Sequence, residues 1–517
     1  MINYKKSKNN PMNFLKTIAL LLVAITTQAQ QPEPAKTLIV IFDGLRPDYI
    51  TPEQMPNLYA FKKQGVLATQ HHSVFPTVTR LNTSAYSTGS YPAKSGILEN
   101  NVYFPEVDKS KSLNTGDARA LKRIDSATHG QLLTTVSFGE VLQAAGKRLM
   151  VFSSGSTGQA FLQNHTLSGG AIVNPDMILP ESYKETVYDA VGQIPAGKEH
   201  SAKHIWATDA LIKLGLQPGG ADVCAIWMSD PDHTTHADGI GTPSAVAAIK
   251  LVDEQFGRIL THLKQANLDG DYNIMITADH GFITYAGNTT ITKHLIENGF
   301  KKSKASDDVV VAGRAIHVKN HDPETIKKIV ASLQESEYIG AIFTKGAKPG
   351  DLEGWVDGTI AFEAIHWDHP TRTADILVDM NWDDRENEYG YRGTSSYVGP
   401  AGHGGLTPYE VHIAWIASGP DFKKRAETKL PTSIVDIVPT VLHLQHVPVP
   451  DQMDGRVAYE MLNRKTPSTA PKKAKKDKVV THVKAPWGTY KLTLQRTILG
   501  KYTYIDFAKA ERITTGQ

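Results

Sequence analysis

Five short runs in this chain are apolar at nearly every position: TLIVIF (37–42), RLMVFSS (148–154), DVCAIWM (222–228), YNIMITA (272–278) and EVHIAWIA (410–417). A strand with one wet face alternates apolar and polar residues. Continuous runs of this length belong to strands covered on both faces, the condition of a parallel sheet with helices above and below it. Helical segments separate the runs. The clearest covers Ser244 to Ala266, where Val246, Ile249, Val252, Phe256, Ile259, Leu260 and Leu263 recur at spacings of three and four and make one apolar stripe for packing on the sheet. Ser137 to Ala145, Met55 to Gln64 and Ser433 to Leu444 read as further covering helices, and the class that follows is an open α/β sandwich.

Two regions break the alternation. Residues 290–395 contain RAIHVKN, then DPETIKKIVASLQES with a helical period, then IGAIFTK, the pattern of a small inserted α+β subdomain. Near the C-terminus, the Lys- and Pro-rich run RKTPSTAPKKAKKDK reads as a solvated linker over 464–478. The stretch after it, 479–517, alternates as a hairpin or small sheet would.

The N-terminus points to export. Lys5, Lys6, Lys8 and Lys16 accompany an apolar run from Phe14 to Ile25, and the small-residue exit Thr27-Gln28-Ala29 completes the layout of a signal peptide over residues 1–30. The apolar run is well short of the roughly 20 residues that a bilayer-spanning helix needs, so no transmembrane anchor is expected after cleavage, and a periplasmic or secreted location follows. Cys224 is the one cysteine, which rules out an intramolecular disulfide and places a small hydrophobe in a strand. A net charge of +2 gives no reason to expect a nucleic-acid partner.

The chemistry lies where the runs end. Asp43 follows TLIVIF, and Asp279 and His280 follow YNIMITA; the carboxyl ends of parallel strands are where open α/β sheets place their ligand sites. Adjacent Asp279 and His280 reach one ion only if the backbone turns, and Gly281 permits a turn. In PDHTTHADG, Asp232 and His236 stand four residues apart, so a helical turn brings both to one side, with Asp230 and His233 as competitors. His403 lies in the glycine-flanked AGHGG. Oxygen and imidazole ligands without cysteine favour zinc over manganese, iron or calcium. Two such ions about 4 Å apart can activate a nucleophile and stabilise the leaving oxygen of an in-line displacement. The hydroxyl candidate is Thr79, at the start of a helix expected from Arg80 to Ser87, with Thr77 its rival; on local sequence alone either threonine reads as a helix cap.

The set DGLRPDY (43–49), FPTVTRLN (75–82), TGSYPAKSGILEN (88–100), PDHTTHADG, TADHG and GHGG, followed by DIVPTVLHL and MDGR, resembles the alkaline phosphatase superfamily, in particular its nucleotide pyrophosphatase/phosphodiesterase branch, over about residues 37–456. The resemblance implies a three-layer sandwich with a central mostly parallel sheet, a catalytic domain over 31–463 and two zinc ions. One ion would be held by Asp232, His236 and His403, the other by Asp43, Asp279, His280 and the nucleophile Thr79. Asn100 would hydrogen-bond a phosphoryl oxygen. The implied reaction hydrolyses a phosphodiester or pyrophosphate of a small molecule through a phosphothreonine.

The sequence departs from the branch beside the nucleophile. Arg80 and Leu81 precede Asn82, where the branch has a Phe-Pro-Asn-like run. Arg80 is a candidate for bidentate contact with a phosphate oxygen, although an arginine on a helix's first turn is more often a surface residue. SSGSTGQAF (153–161) lacks the Lys and Arg pair of the superfamily's threonine-type phosphomonoesterases, which favours diesters. The alternatives are a phosphomonoesterase, a phosphonoacetate-type carbon-phosphorus hydrolase on the same metals, and a secreted zinc-binding protein without turnover.

Overall fold

The computed structural model describes Met1 and residues 33–194, 200–464 and 466–514; the expected signal peptide lies outside them but for Met1. The apolar runs form the middle of a ten-stranded sheet. Lys36–Phe42 is central, flanked in parallel by Val223–Met228 and Tyr272–Thr277. Leu149–Ser153 and Ala171–Asn174 continue the parallel array, and Met177–Leu179 closes that side in antiparallel sense.

The period of two divides the central strand between two cores. Leu38, Val40 and Phe42 pack with Leu58, Phe61, Trp206, Ile249 and Phe256, which brings helices Pro56–Gln64, Ser201–Ala210 and Pro243–Gln265 onto one face. Ile39 and Ile41 pack with Leu81, Ala85, Phe138, Leu162 and Val438, and so helices Thr79–Thr88, Phe138–Ala144, Thr157–Gln163 and Ile437–Leu444 cover the other. The result is the three-layer α/β sandwich. Local signals set the helix starts: Thr242 caps the long helix with Pro243 in its first turn, and Ser137 and Glu140 form a capping box.

His412–Ser418, read above as another parallel strand, runs antiparallel to Tyr272–Thr277. Burial on both faces makes a run continuous whatever its direction, so periodicity could not distinguish the two. On its far side lies Val66–His72, whose half-polar VLATQHH gave no strand signal.

The region 290–395 is not one unit. Its core is a five-stranded sheet of Val309–Ala312, Ala315–Val318, Ile376–Met380, Ile339–Thr344 and Ile360–Ala361, with helix Pro323–Glu335. Trp382–Glu386 and Arg392–Ser395 instead join Ile283–Tyr285 and Ala401–Gly402 in a separate sheet. The expected linker is also shorter than 464–478, because strand Ala474–Ala485 begins within it. That strand pairs with Gly488–Leu499 and then Tyr502–Thr514. The three-stranded extension buries Tyr490, Leu492 and Leu494 and is fastened by Tyr490 Oη donating to Gly340 O (2.7 Å), Trp382 Nε1 donating to Ala508 O (2.7 Å) and Ala508 N donating to Leu406 O (2.9 Å).

Cys224 lies wholly buried in its strand, and burial pushes its thiol up to about 12. The folded protein is therefore expected to leave a thiol reagent such as dithionitrobenzoate unreacted at pH 8 and to consume one equivalent only when unfolded in denaturant; rapid labelling of native protein would contradict this placement.

Candidate metal centre

Asp43 ends the central strand, and its N–H donates to Met228 O (2.9 Å) on the neighbouring strand. Gly44 follows with φ +73° and stands where a Cβ would meet the Phe282 ring at 3.0 Å and the Asp232 backbone at 3.2 Å. Its N–H donates to Asp279 Oδ1 (3.1 Å), while Asp232 N donates to Asp43 O (3.0 Å). Three carboxylates from distant segments are thus tied through backbone before any side chain meets an ion. Gly281 has a different role from the one expected: a Cβ there would lie 2.1 Å from Tyr409 O, so it is required for close approach.

Two clusters result. Asp43, Asp279 and His280 form one, and Asp232, His236 and His403 the other, the ligand atoms in each lying within 4.8 Å of one another. Asp232 opens helix Asp232–Asp238, so His236 falls one turn along on the same side. The clusters abut, with the His280 and His403 rings stacked at 3.5 Å and 9°. Asp230 and His233 belong to neither: Asp230 Oδ2 meets His204 Nε2 (2.8 Å), and His233 stacks on His200 (3.7 Å).

The imidazoles share one orientation. Nδ1 of His280 donates to Gly281 O (3.0 Å), that of His403 to Thr77 O (2.8 Å) and that of His236 to Ala401 O (3.2 Å). A carbonyl only accepts, so Nδ1 carries the hydrogen and Nε2 faces inward. There it meets carboxylates: His280 Nε2 is 3.1 Å from Asp279 Oδ2 and 3.4 Å from Asp43 Oδ1, and Asp232 Oδ1 lies 3.2 Å from His403 Nε2 and 3.3 Å from His236 Nε2. Asp43 Oδ1, Asp232 Oδ1 and Asp279 Oδ2 are buried without a hydrogen-bond donor. Burial, then the Asp279 and Asp232 charges, push the Asp43 carboxyl well above the usual carboxylate range. Converging lone pairs and crowded carboxylates fit a cation at each cluster.

Thr79 is not a cap. The cap position belongs to Val78, and Thr79 Oγ1 instead lies 3.2 Å from His280 Nε2, at the first turn of Thr79–Thr88. Thr77 has other work: its hydroxyl donates to Gly405 O (2.8 Å) and accepts from Gly404 N (3.0 Å), holding the loop that carries His403. Arg80 N donates to Asn100 Oδ1 (2.8 Å), which leaves the Asn100 amide NH2 to donate elsewhere. Arg80 is not a surface side chain either; it is half-buried, its Nε enclosed without a partner, and burial lowers its pKa against the opposing charges of Asp43, Asp232, Glu99 and Asp279.

Three supporting residues had no sequence signal. Trp227 Nε1 donates to Asp43 Oδ2 (2.9 Å), aiming the other oxygen at the cluster. Arg314, at the tip of a hairpin in the inserted sheet, donates from Nη2 to His403 O (2.8 Å) and from Nη1 to Glu99 Oε1 (3.2 Å), and Glu99 Oε2 accepts from Asn100 N (2.6 Å). A Cβ at Gly404 would meet that guanidinium at 2.1 Å, which accounts for the glycine. In a Trp227→Phe variant, Asp43 loses its only side-chain donor, and metal affinity is expected to fall by about 10- to 100-fold in a competition titration against a chelator; unchanged affinity would show that Trp227 does not aim the carboxylate.

Residues 37–387 match the model of the family described as Type I phosphodiesterase / nucleotide pyrophosphatase. Human ectonucleotide pyrophosphatase/phosphodiesterase family member 5 is 23% identical over 462 residues, 88% of this chain and 84% of that protein. Bis(5'-adenosyl)-triphosphatase enpp4 of Xenopus laevis is 28% identical over 273 residues, 51% of each chain. Among solved structures, an inactive variant of murine ENPP5 in complex with AMP aligns with TM-score 0.56 at 19% identity, covering 83% of this chain and 100% of that one. A mutant of the alkaline phosphatase PafA aligns with TM-score 0.60 at 14% identity, covering 84% and 100%; at these identities both likenesses concern the fold. The chain is a hydrolase and belongs to the type I phosphodiesterase / nucleotide pyrophosphatase family.

Proposed function

We propose that this protein hydrolyses nucleotide phosphodiester or pyrophosphate bonds with two zinc ions and a phosphothreonine intermediate. The observation that carries the reading is Thr79 Oγ1 beside His280 Nε2, where two abutting Asp/His clusters leave buried carboxylate oxygens without donors. Asp43, Asp279, His280 and the Thr79 hydroxyl hold one ion, and Asp232, His236 and His403 the other. When bound, such ions lower the pKa of a hydroxyl or water and offset charge that develops on phosphoryl and leaving oxygens.

The chain's own groups then act in sequence. Thr79 Oγ1 attacks phosphorus as the bond to the leaving alkoxide or phosphate breaks; water next attacks the phosphothreonine and restores the hydroxyl. The positive end of helix Thr79–Thr88 favours the negative charge gathering there. Asn100 donates its amide to a phosphoryl oxygen, its orientation fixed by Arg80 N, and Arg80 adds a charge-assisted contact. Zinc fits the donor set, which is carboxylate and imidazole without thiolate.

Three observations support a diester or pyrophosphate substrate. SSGSTGQAF folds into a strand end and the buried helix Thr157–Gln163, with Ser153 Oγ donating to Gln159 Oε1 (2.7 Å), and carries no cation for a further charged phosphate oxygen. The frog relative is a bis(5'-adenosyl)-triphosphatase, and the murine structure holds AMP. The layout of residues 1–30 supports a periplasmic or secreted location, and among the described residues no helix is long and apolar enough to cross a membrane.

Rates on matched nucleotide diester, dinucleotide, monoester and phosphonate substrates at saturating zinc test the substrate class. The diester or dinucleotide is expected to lead, and a monoester preference of orders of magnitude would overturn the reading. Thr79→Ala is expected to lower turnover by about a thousandfold or more while AMP still binds. Retained turnover in this variant would remove Thr79 from the chemistry. Dialysis against a chelator should abolish activity and added zinc restore it; activity that survives metal removal would sink the two-ion mechanism.

A further inference from the structure

A third Asp/His cluster lies away from the active site, where the C-terminal sheet meets the central one. His72 ends Val66–His72 and His412 begins His412–Ser418; the two are directly opposed across the antiparallel pair, with ring centroids 4.8 Å apart. Asp506, on strand Tyr502–Thr514, completes the group, and its ligand atoms lie within 4.8 Å of one another. His72 and Asp506 are buried, while His412 is half-buried.

The cluster shares its imidazole orientation with the candidate metal centre. His72 Nδ1 donates to Thr432 O (2.9 Å), a carbonyl that only accepts, so the hydrogen is on Nδ1. Nε2 then faces Asp506 Oδ1 at 3.1 Å, acceptor against acceptor in a buried place. A positive charge must stand between them, and the cross-strand imidazole of His412 offers it a further lone pair. Asp506 is braced by Thr497 Oγ1, 2.8 Å from its Oδ2 and 3.1 Å from its Oδ1, and by Lys476 Nζ, which donates to Oδ2 (3.1 Å) from a side chain 62% exposed. Both the carbonyl behind the imidazole and the donors behind the carboxylate are the supports that metal ligands need.

The remaining cluster, His200, His204 and Asp230, differs in kind. Ser154 Oγ faces His204 Nδ1 (2.9 Å) and Ser229 Oγ faces His200 Nε2 (2.7 Å), and a hydroxyl donates or accepts as required. Neutral hydrogen bonds close that network without a cation.

We propose that His72, His412 and Asp506 bind a divalent ion of the zinc class, completed by water on the His412 side, which fastens the C-terminal sheet to the central one. The ion takes no part in the chemistry. It anchors the root of the segment that leads through Ser73, whose Oγ donates to Asp279 O (2.5 Å), to Thr79.

Zinc-saturated full-length protein, desalted over metal-free resin, would be assayed by inductively coupled plasma mass spectrometry. His412→Asn and Asp506→Asn are each expected to carry about one equivalent less than wild type and to keep diesterase activity within a few-fold; unchanged metal content in both would mean that a proton bridges His72 and Asp506, and the proposal would fall. A second arm does not depend on those variants folding. The Asp43→Asn/Asp232→Asn protein is expected to retain about one tight equivalent of zinc after its activity is lost, whereas complete loss of zinc would overturn the third site and leave the two-ion active site standing.

Discussion

A lone pair and a carboxylate cannot face each other in a buried pocket unless a positive charge lies between them. His236, His280 and His403 each give the Nδ1 hydrogen to a backbone carbonyl and turn Nε2 toward carboxylate oxygens that have no donor. The donor inventory of the protein is spent elsewhere, on Asp43 Oδ2 through Trp227 and on Asp279 Oδ1 through two backbone N–H groups. What these aspartates and imidazoles present inward is lone pairs, with the Thr79 hydroxyl beside them, and the surrounding fold is the means of holding them in that unfavourable proximity.

Rigid elements do the holding. Asp43 follows the central strand directly, Asp279 and His280 follow its parallel neighbour within three residues, Asp232 and His236 share one face of a short helix, and His403 begins the loop after strand Ala401–Gly402. That loop is fixed from two sides: Thr77 takes up Gly404 N and Gly405 O, and Arg314 takes up the His403 carbonyl. The inserted sheet therefore belongs to the site's framework, because its hairpin tip links the His403 loop to the Asn100 loop through Glu99.

Legibility in the sequence follows from how local each cause is. The strand ends bearing Asp43 and Asp279 were readable because a doubly buried strand announces itself residue by residue, and the Asp232/His236 pair because a helical turn converts spacing into side. Direction is not local, so His412–Ser418 carried no sign of running antiparallel, and a half-polar strand such as Val66–His72 has no periodic signature. Supporting contacts are the least local of all. Arg314 and Trp227 meet His403 and Asp43 across 89 and 184 residues of sequence, and nothing in RAIHVKN or DVCAIWM marks them as partners of a ligand. Arg80 misled in the other direction, since a first-turn arginine is usually solvated and this one is half-buried with its Nε enclosed.

Thr79, the proposed nucleophile, is not placed independently of the two Asp/His clusters. Between His72 and Asn82 the chain is tied at Ser73 to Asp279 O, at Val74 to Asn82 Oδ1, at Thr77 to the His403 loop and at Thr79 to His280. Two of these ties end on residues of one cluster and one on the loop of the other, so the position of Thr79 Oγ1 is a joint property of both. A change that shifts either cluster moves Thr79 Oγ1 as well, and for that reason the effects of substitutions in the clusters and at Thr79 are not expected to be additive. The same coupling explains why a loop ahead of a helix, ordinarily a mobile part of a fold, holds Thr79 in place here: its hydrogen bonds are spent on the two clusters between which the proposed chemistry would occur.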